Sequence, residues 1–390
     1  MFVVSDPHAI SNPERYHASS ARNFGSGDPH EDAFVAVADV VRKDALKAEV
    51  LLCPGDLADG NDQGPDVPGM TWAWDRLQDL GAALGARVVA TAGNHDIYRA
   101  PPGQTGEPAR FLRDLRPPFP TADADESEAY FADDFVVVRE RDWQVVTLNT
   151  CAEHDIDHER GSVRYETVER IASVIQGSGT AVNVLQCHHH PVQWTHLNRS
   201  DRDHMRLGER LLNMLDLHDA GRWIIVHGHR HIPAVGYVGE STSGPVRFSA
   251  GSVSCALLPD IGIAARNQFY MLEFDIRDIA SLDLPGGGRF VAWDWIPTLG
   301  VRKPTTRWAL PHRGGFGYRR TGHELARRCQ EIADHTGHGW LAWSQLIAAE
   351  PRMAYVAPVD LRAMAIELER AGGAVLFGDD GTIDEVHVAA

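Results

Sequence analysis

The feature that most constrains this chain is a set of five short polar clusters, each placed at or directly after the end of a short apolar run. The clusters are Asp6-Pro7-His8, Gly55-Asp56, Gly93-Asn94-His95-Asp96, His188-His189-His190-Pro191 and Gly228-His229-Arg230-His231. Short apolar runs followed by polar loops are typical of buried strands in an α/β domain. The order of the clusters therefore predicts a layered α/β fold whose strand ends carry the chemistry.

The residue types in these clusters indicate a metal site. At positions i and i+2, Asp6 with His8 and His229 with His231 can project to the same side of an extended chain. Carboxylate, imidazole and amide oxygen, with no thiolate expected near them, suit Mn, Fe, Zn or a similar first-row metal. Seven candidate ligands exceed what one ion takes from a protein while keeping open positions, so two ions are expected. Each cluster alone is a common sequence, and the ordered occurrence of all five carries the prediction.

The ordered set resembles the calcineurin-like metallophosphoesterase superfamily, over residues 1 to about 275. The residues that carry the resemblance are Asp6-x-His8, Gly55-Asp56-x-x-Asp59, Gly93-Asn94-His95-Asp96, His188 and Gly228-His229-x-His231. The resemblance implies a four-layer α/β/β/α sandwich with two metals at the carboxyl ends of the central strands. Three weaker signals are similar to the bacterial cyclic-nucleotide phosphodiesterase branch: Leu148-Asn149-Thr150, Gly161-Ser162-Val163 and Ala250-Gly251-Ser252.

The resemblance also implies residue roles. One metal would be held by Asp6, His8, Asp56 and His231, and the other by Asn94, His188 and His229, with Asp56 bridging the two. His95 matches the family's histidine that is not a ligand and approaches the leaving group. His188 is expected to be the ligand of the triple histidine because it directly follows the apolar run, with His189 as the alternative.

The expected activity is hydrolysis of a phosphate ester by a hydroxide that the two metals share. The first hypothesis is a phosphodiesterase acting on a small diester such as a cyclic nucleotide. One alternative is a phosphomonoesterase acting on a nucleotide or a phosphoprotein. Another is a nucleic-acid-associated nuclease positioned by its C-terminal part.

The chain divides into three predicted parts. Residues 1–297 form the metallophosphoesterase domain, 298–321 a basic connector rich in Pro and Gly, and 322–390 a small C-terminal module. The elements expected in that module are helices over residues 322–335, 340–349 and 361–370 and a hairpin of strands 374–377 and 383–388. Helices followed by a hairpin resemble a winged-helix-like module.

A helix is also expected between the first two apolar runs. Asp28 is the predicted N-cap, with Pro29 at the first helical position and Glu31 completing a capping-box pattern.

Charge and cysteine usage narrow the class of protein. The formal net charge of -17 disfavours a broad nucleic-acid surface, although residues 301–328 carry eight Lys or Arg against one acid. Docking of this basic stretch on the acidic catalytic domain is favoured over binding of nucleic acid. Five scattered cysteines without C-x-x-C spacing indicate reduced thiols and a cytoplasmic protein. The sequence shows no signal peptide, no membrane-spanning run and no pattern that indicates an oligomeric state.

Overall fold

The computed structural model of the chain describes residues 1–12, 25–61, 64–98, 107–153, 160–193, 204–217, 222–238, 244–255, 266–305 and 310–389. The strands are β1 (Phe2–Val3), β2 (Val50–Cys53), β3 (Gly60–Asn61), β4 (Gly64–Pro65), β5 (Arg87–Ala90), β6 (Phe135–Arg139), β7 (Trp143–Leu148), β8 (Val182–Gln186), β9 (Trp223–His227), β10 (Ala234–Tyr237), β11 (Val246–Ser249), β12 (Gln268–Glu273), β13 (Gly288–Ile296), β14 (Gly300–Arg302), β15 (Arg313–Phe316), β16 (Trp340–Ala342), β17 (Ala374–Phe377) and β18 (Ile383–His387). The helices are α1 (Ala33–Lys43), α2 (Val67–Leu84), α3 (Arg110–Arg113), α4 (Ala124–Asp133), α5 (Tyr165–Ile175), α6 (Gly208–Leu217), α7 (Ile276–Ser281), α8 (Gly322–Thr336), α9 (Trp343–Ala349) and α10 (Pro358–Arg370).

Two large mixed sheets form the centre of the fold. The first has the order β14-β13-β12-β1-β2-β5, with β15 also paired to β13, and the second has the order β10-β11-β9-β8-β7-β6. Strands β1, β2 and β5 run parallel to one another, as do β7, β8 and β9. Parallel neighbours place their carboxyl ends on one edge of the sheet. The polar loops that follow these strands are therefore gathered at the same edge.

Alternation along the strands produces the layers. In β2, Leu51 and Cys53 belong to the core shared with α1 and α2, whereas Val50 and Leu52 face the core between the two sheets. In the second sheet, Ile225 of β9 belongs to a third core with α5 and α6. Successive side chains of a strand point to opposite faces, so each sheet can be buried on both sides. The predicted four-layer α/β/β/α sandwich is confirmed.

Helix α1 begins later than the sequence suggested. Its N-cap is Asp32, whose carboxylate accepts hydrogen bonds from the backbone N–H groups of Phe34 and Val35. Asp28 was the wrong choice of cap, because its carbonyl oxygen instead accepts from the N–H groups of Glu31 and Asp32 in a turn before the helix. A carboxylate two or three residues before the orphan N–H groups is what the cap requires.

The stretch predicted as a connector contributes two strands to the first sheet. β14 pairs with Asp294–Ile296 and β15 with Gly288–Val291, both as antiparallel neighbours of β13. Phe316 and Leu310 lie in the core between the sheets. The basic stretch 298–321, predicted as a connector rich in Pro and Gly, therefore contains two short strands that its composition concealed.

The C-terminal module has its own core and a three-stranded sheet of order β16-β18-β17. The hairpin formed by β17 and β18 is confirmed, as is a helix that begins at Gly322. Residues 340–342 were wrongly assigned to a helix, because Trp340–Ala342 pairs with β18 and α9 begins only at Trp343. The Tyr355 hydroxyl, in the segment between α9 and α10, donates to Asp278 in α7 at 2.9 Å and so joins the module to the rest of the fold. Among the described helices, none is both long and apolar enough to cross a membrane.

Candidate metal centre and active site

The five polar clusters meet where the carboxyl ends of the two sheets face each other. Asp6 and His8 follow β1, Asp56 follows β2, and Asn94 and His95 follow β5, all in the first sheet. His188 follows β8, and His229 and His231 follow β9, in the second sheet. The two groups are joined directly, since the backbone N–H of His229 donates to Asp6 Oδ1 at 2.9 Å. The structure thus brings all seven predicted ligands and His95 into one site.

The backbone at this site is held in an uncommon conformation. The residues with positive φ are Asp6 (50°), His8 (46°), Asp56 (52°), His229 (73°) and His231 (53°). Left-handed backbone at residues other than glycine costs energy and persists where the surroundings fix it, often at functional sites. Neighbouring glycines make room for these turns. A Cβ on Gly93 would lie 2.0 Å from Asp56 Oδ1, and one on Gly228 would lie 2.2 Å from Asp6 Oδ2.

The first ligand cluster consists of Asp6, His8, Asp56 and His231, whose ligand atoms all lie within 4.8 Å of one another. His231 Nε2 lies 3.1 Å from His8 Nε2 and 3.4 Å from Asp6 Oδ1. All four side chains are buried. Two imidazole nitrogens and two carboxylates that converge in a buried space form a suitable donor set for a first-row transition metal.

The second cluster is organised around the amide oxygen of Asn94. This oxygen lies 2.9 Å from His188 Nε2 and 2.9 Å from His229 Nδ1. His188 Nδ1 lies 2.8 Å from the carbonyl oxygen of Pro54, which can accept its proton. Such a backbone acceptor fixes the tautomer and leaves Nε2 as the ligand atom. The structure therefore brings together Asn94, His188 and His229, the three residues expected to form the second ligand group.

Asp56, a member of the first cluster, also faces the second. Its Oδ2 atom is 3.4 Å from His8 Nε2 in the first cluster and 3.3 Å from His188 Nε2 in the second. Its Oδ1 atom accepts a hydrogen bond from the backbone N–H of His95 at 2.9 Å. Burial alone would raise the pKa of Asp56, yet the charges of His188 and His95 hold it well below its usual range. An ionised carboxylate placed in this way can contact two cations at once.

The triple histidine divides into different environments. His188 Nε2 faces Asp56 and Asn94, whereas His189 Nδ1 lies 2.8 Å from the hydroxyl oxygen of Thr150. His188 and His189 both belong to a group with His229 whose ligand atoms lie within 4.8 Å. The contacts favour His188 as the ligand. His189 instead contacts Thr150 in the loop after β7.

His95 lies at the rim of the site and does not belong to the two ligand clusters. Its side chain is 27% exposed, and its Nδ1 atom lies 2.9 Å from Asp59 Oδ1. The neighbouring Asp96 is buried and accepts hydrogen bonds from the N–H groups of Gly93 and Ala58, which ties the β5 loop to the β2 loop. Burial and the charge of Asp56 raise the pKa of Asp96 to about 7. The hydrogen bonds of Asp96 thus fix the turn that carries His95.

Two residues near the ligand clusters were given no role in the sequence analysis. Asp59 contacts His95, and its signal was already present in the Gly55-Asp56-x-x-Asp59 motif. Cys255 forms a group with His8 and His231 in which the ligand atoms lie within 4.8 Å of one another. No local pattern in the sequence marked Cys255, and the expectation that no thiol lies near the site was wrong.

The residues present fit a pair of metal ions. Buried carboxylates and imidazoles need partners of opposite charge or a cation. Burial alone would lower the pKa of His188, but the neighbouring carboxylate of Asp56 raises this pKa to about 9. His229 Nε2 is buried and has no hydrogen-bond partner among the described residues. Asp6, His8, Asp56 and His231 would hold one ion, and Asn94, His188, His229 and Asp56 the other.

A known protein family matches the greater part of this chain. A sequence model described as calcineurin-like phosphoesterase matches residues 1–253. A search of curated protein sequences finds no match. One similar solved structure is PhoD, which is 11% identical with a TM-score of 0.41 and covers 77% of this chain and 70% of its own.

Two further solved structures are similar at the same low level. A Staphylococcus aureus protein described as a 5'-nucleotidase is 12% identical with a TM-score of 0.37, over 77% of this chain and 51% of that chain. The calcineurin-like phosphoesterase YfkN from Bacillus subtilis is 12% identical with a TM-score of 0.32, over 80% of this chain and 88% of that chain. Such identities do not bear on the substrate. Since the family match covers 253 of the 390 residues, the chain belongs to the calcineurin-like phosphoesterase family.

Proposed function

We propose that this protein is a phosphodiesterase that hydrolyses a small diester such as a cyclic nucleotide, with two Mn, Fe or Zn ions bound to its ligand clusters. The observation that carries the proposal is the position of Asp56, whose Oδ2 atom lies within 3.4 Å of a histidine in each cluster. A carboxylate shared by two ligand clusters could hold two ions close together, as two-metal hydrolysis of a phosphoester needs.

Preference for a diester rests on the three stretches similar to the cyclic-nucleotide branch, all of which contact the site. Thr150 lies against His189, and a Cβ on Gly161 would be 2.3 Å from the His189 ring. The Ser252 hydroxyl donates to the carbonyl oxygen of Asp6 at 2.6 Å. These stretches support the ligand loops on both sides, so their resemblance concerns the site itself.

In this reaction, the metal ions and the side chains of His95 and Asp59 would have separate roles. Metal ions supply the charge that polarises the phosphoryl oxygens and activates water. His95 Nδ1 is engaged by Asp59, so Nε2 is the ring nitrogen that would donate to the leaving-group oxygen. Asp59 would orient the ring and stabilise its protonated form, as a carboxylate partner of a catalytic histidine does.

Binding of nucleic acid is disfavoured by the contacts of the basic stretch. Lys303 lies 3.9 Å from Asp380 of the C-terminal module, and the Arg319 guanidinium lies 5.1 Å from the ring centroid of Tyr237 in β10. Arg328 lies 3.4 Å from Glu350, a contact within the module itself. Arg307 lies outside the described residues. Cations engaged within the protein contribute less to an external phosphate backbone. We propose that this stretch docks the C-terminal module on the catalytic domain.

The cysteines bear on the cellular compartment. All five cysteines are buried, and they are present as thiols rather than as disulfides. Thiols persist in a reducing compartment, which supports our proposal of a cytoplasmic location.

A substrate panel tests the proposed activity. Full-length protein loaded with Mn is assayed on cyclic mononucleotides, linear dinucleotides, single-stranded DNA and phosphomonoesters, with Asp56→Asn as the matched inactive control. The proposal expects the highest kcat/KM on a small diester. Higher kcat/KM on a monoester would favour the phosphomonoesterase, and higher kcat/KM on DNA would favour the nuclease.

A further inference from the structure

A thiol lies beside the first ligand cluster. Cys255 is buried, and its ligand atom lies within 4.8 Å of those offered by His8 and His231. The same two histidines belong to the group formed with Asp6 and Asp56. One cluster in this protein therefore offers a soft sulfur donor in addition to the carboxylates and imidazoles that the family resemblance implies.

The turn that carries Cys255 is fixed to the loop that supplies the first two ligands. The Ser252 hydroxyl oxygen accepts the backbone N–H groups of Ser254 and Cys255, at 3.1 and 2.7 Å. The same hydroxyl donates to the carbonyl oxygen of Asp6 at 2.6 Å. The Ser254 hydroxyl donates to the carbonyl oxygen of Pro7 at 2.8 Å. Cys255 is thus held in place relative to Asp6 and His8 by a chain of buried hydrogen bonds.

This attachment distinguishes Cys255 from the other buried thiols. Cys329 packs in the core of the C-terminal module, where its sulfur lies 3.7 Å from the sulfur of Met364. Cys151 lies 3.6 Å from the carbonyl oxygen of Ala92. Among the residues that the structure describes, Cys255 is the one cysteine found in a group of possible metal ligands.

We propose that Cys255 is a further ligand of the metal held by Asp6, His8 and His231, and that it makes this half of the centre selective for Zn or Fe over Mn. Coordination forms a bond between sulfur and metal and releases the thiol proton to solvent. Thiolate ligands favour Zn and Fe, whereas Mn prefers oxygen ligands. The proposal rests on the metal centre of the proposed function and does not depend on which ester is hydrolysed.

The test is the absorption spectrum of full-length protein loaded with cobalt(II). A thiolate bound to cobalt(II) gives an intense near-ultraviolet charge-transfer band, which imidazole and carboxylate ligands do not give. The wild-type protein is expected to show this band, and both Cys255→Ser and Cys255→Ala are expected to lose it. Cys329→Ala, which removes a buried thiol from the C-terminal module, should keep the band. Two substitutions at position 255 guard against the chance that one of them fails to fold.

Metal competition supplies a second measurement. Cys255→Ser should weaken Zn binding by about 10-fold or more, within the range found when residues around a metal site are changed. Mn binding should change by less than about threefold, because the oxygen and imidazole ligands remain.

The outcomes separate this proposal from the proposed function. Bound cobalt without the band in the wild type, or a band that persists in both variants, would show that Cys255 is at most a hydrogen-bond partner of His231 and would overturn the proposal. Protein that binds no metal at all would overturn the metal centre itself. Activity on an unexpected ester would change the proposed substrate and leave the ligand assignment standing.

Discussion

His95 and Asp59 form a hydrogen-bonded pair at the rim of the two ligand clusters, with Nδ1 of the histidine 2.9 Å from Oδ1 of the aspartate. Asp59 is buried with 3% of its side chain exposed, whereas His95 is 27% exposed and can meet a substrate. Burial would raise the pKa of Asp59, but hydrogen bonds and charge from His8 and His95 lower it, so the carboxylate stays ionised. The pair therefore has the arrangement of an oriented catalytic histidine.

Replacing His95 by alanine should separate chemistry from metal binding. His95→Ala is expected to keep both metals and to lose roughly 10²–10⁴ in kcat on a diester with an alkoxide leaving group. The loss should shrink on a nitrophenyl diester, because nitrophenolate needs little protonation. Steady-state kinetics on both substrates, with metal content by elemental analysis, measure this. An equal loss on the two substrates would contradict the role of proton donor.

Removing the charge of Asp59 should act through His95. Asp59→Asn keeps the shape of the side chain and is expected to lower kcat by about 10–100-fold. In a His95→Ala background, the same substitution should have little further effect, because the residue that it orients is gone. Kinetics of the two single variants and the double variant form the test. Additive losses would mean that Asp59 acts on another part of the site.

Asp56 is expected to be the most damaging position to truncate. Asp56→Ala removes the carboxylate that lies 3.4 Å from His8 and 3.3 Å from His188, so both ions should be lost. Asp56→Asn should keep the fold but be nearly inactive, since a neutral amide bridges two cations poorly. Elemental analysis gives the metal content, with Asp134→Asn, a change at a buried aspartate paired with Arg164, as the control. Two metals retained in Asp56→Ala would remove the bridging assignment.

The triple histidine allows a paired experiment in which each variant is the control for the other. His188→Ala should lose metal, because His188 Nε2 faces Asn94 and Asp56. His189→Ala should largely keep it, because His189 Nδ1 is engaged by Thr150. The number of metal ions per chain after dialysis decides between them. Loss in His189→Ala alone would move the ligand by one residue.

The sequence predicted the ligand loops well because their signals are local. An apolar run followed by Asp, Asn or His marks a strand end, and Asp6, Asp56, Asn94 and His188 all lie where this pattern placed them. The roles of these residues and the order of the layers came from the resemblance to a family. Neither depends on knowing how distant segments pack.

What the sequence did not reveal depends on distant contacts. Cys255 reaches the site because Ser252 and Ser254 bond to the loop after β1, and nothing in the residues around position 255 encodes that contact. The strands β14 and β15 were concealed by Pro and Gly. They become strands because they pair with the two ends of β13, along the edge that β12 does not occupy. In these two strands, pairing with β13 outweighed the local sequence composition.

Phe316 tests whether the stretch after residue 298 belongs to the catalytic core. Its side chain is fully buried between the two sheets, with its ring centroid 6.0 Å from that of Phe274. Phe316→Ala should therefore lower the free energy of unfolding by about 3–5 kcal/mol. Leu376→Ala on β17, where the side chain is 46% exposed, should change it by less than about 0.5 kcal/mol. Denaturant unfolding of both variants measures this, and a similar small effect for both would show a connector that is only loosely attached.

Asp360 should make the stability of the protein depend on pH. It lies in the first turn of α10, and its Oδ2 atom is buried without a hydrogen-bond partner among the described residues. Burial raises the pKa of Asp360 to about 6, and the charge of Arg319 opposes this only in part. The folded protein then binds the proton more tightly than the unfolded chain, whose aspartates titrate near pH 4. This residue's contribution to stability should therefore fall as the pH rises from about 4 through about 6, and stay level above that.

Asp360→Asn removes the ionisation and should be more stable than the wild type at pH 7.5, with the difference vanishing near pH 4. We expect a gain of about 1 kcal/mol, because partial access to solvent and the favourable position of a carboxylate near a helix N-terminus both reduce the cost of the charge. Denaturant unfolding of both proteins at the two pH values measures the difference. Asp384→Asn, at an exposed position of β18, is the control and should show no such pH dependence. A variant less stable than the wild type at pH 7.5 would mean that the ionised carboxylate stabilises the contact of α10 with Arg319.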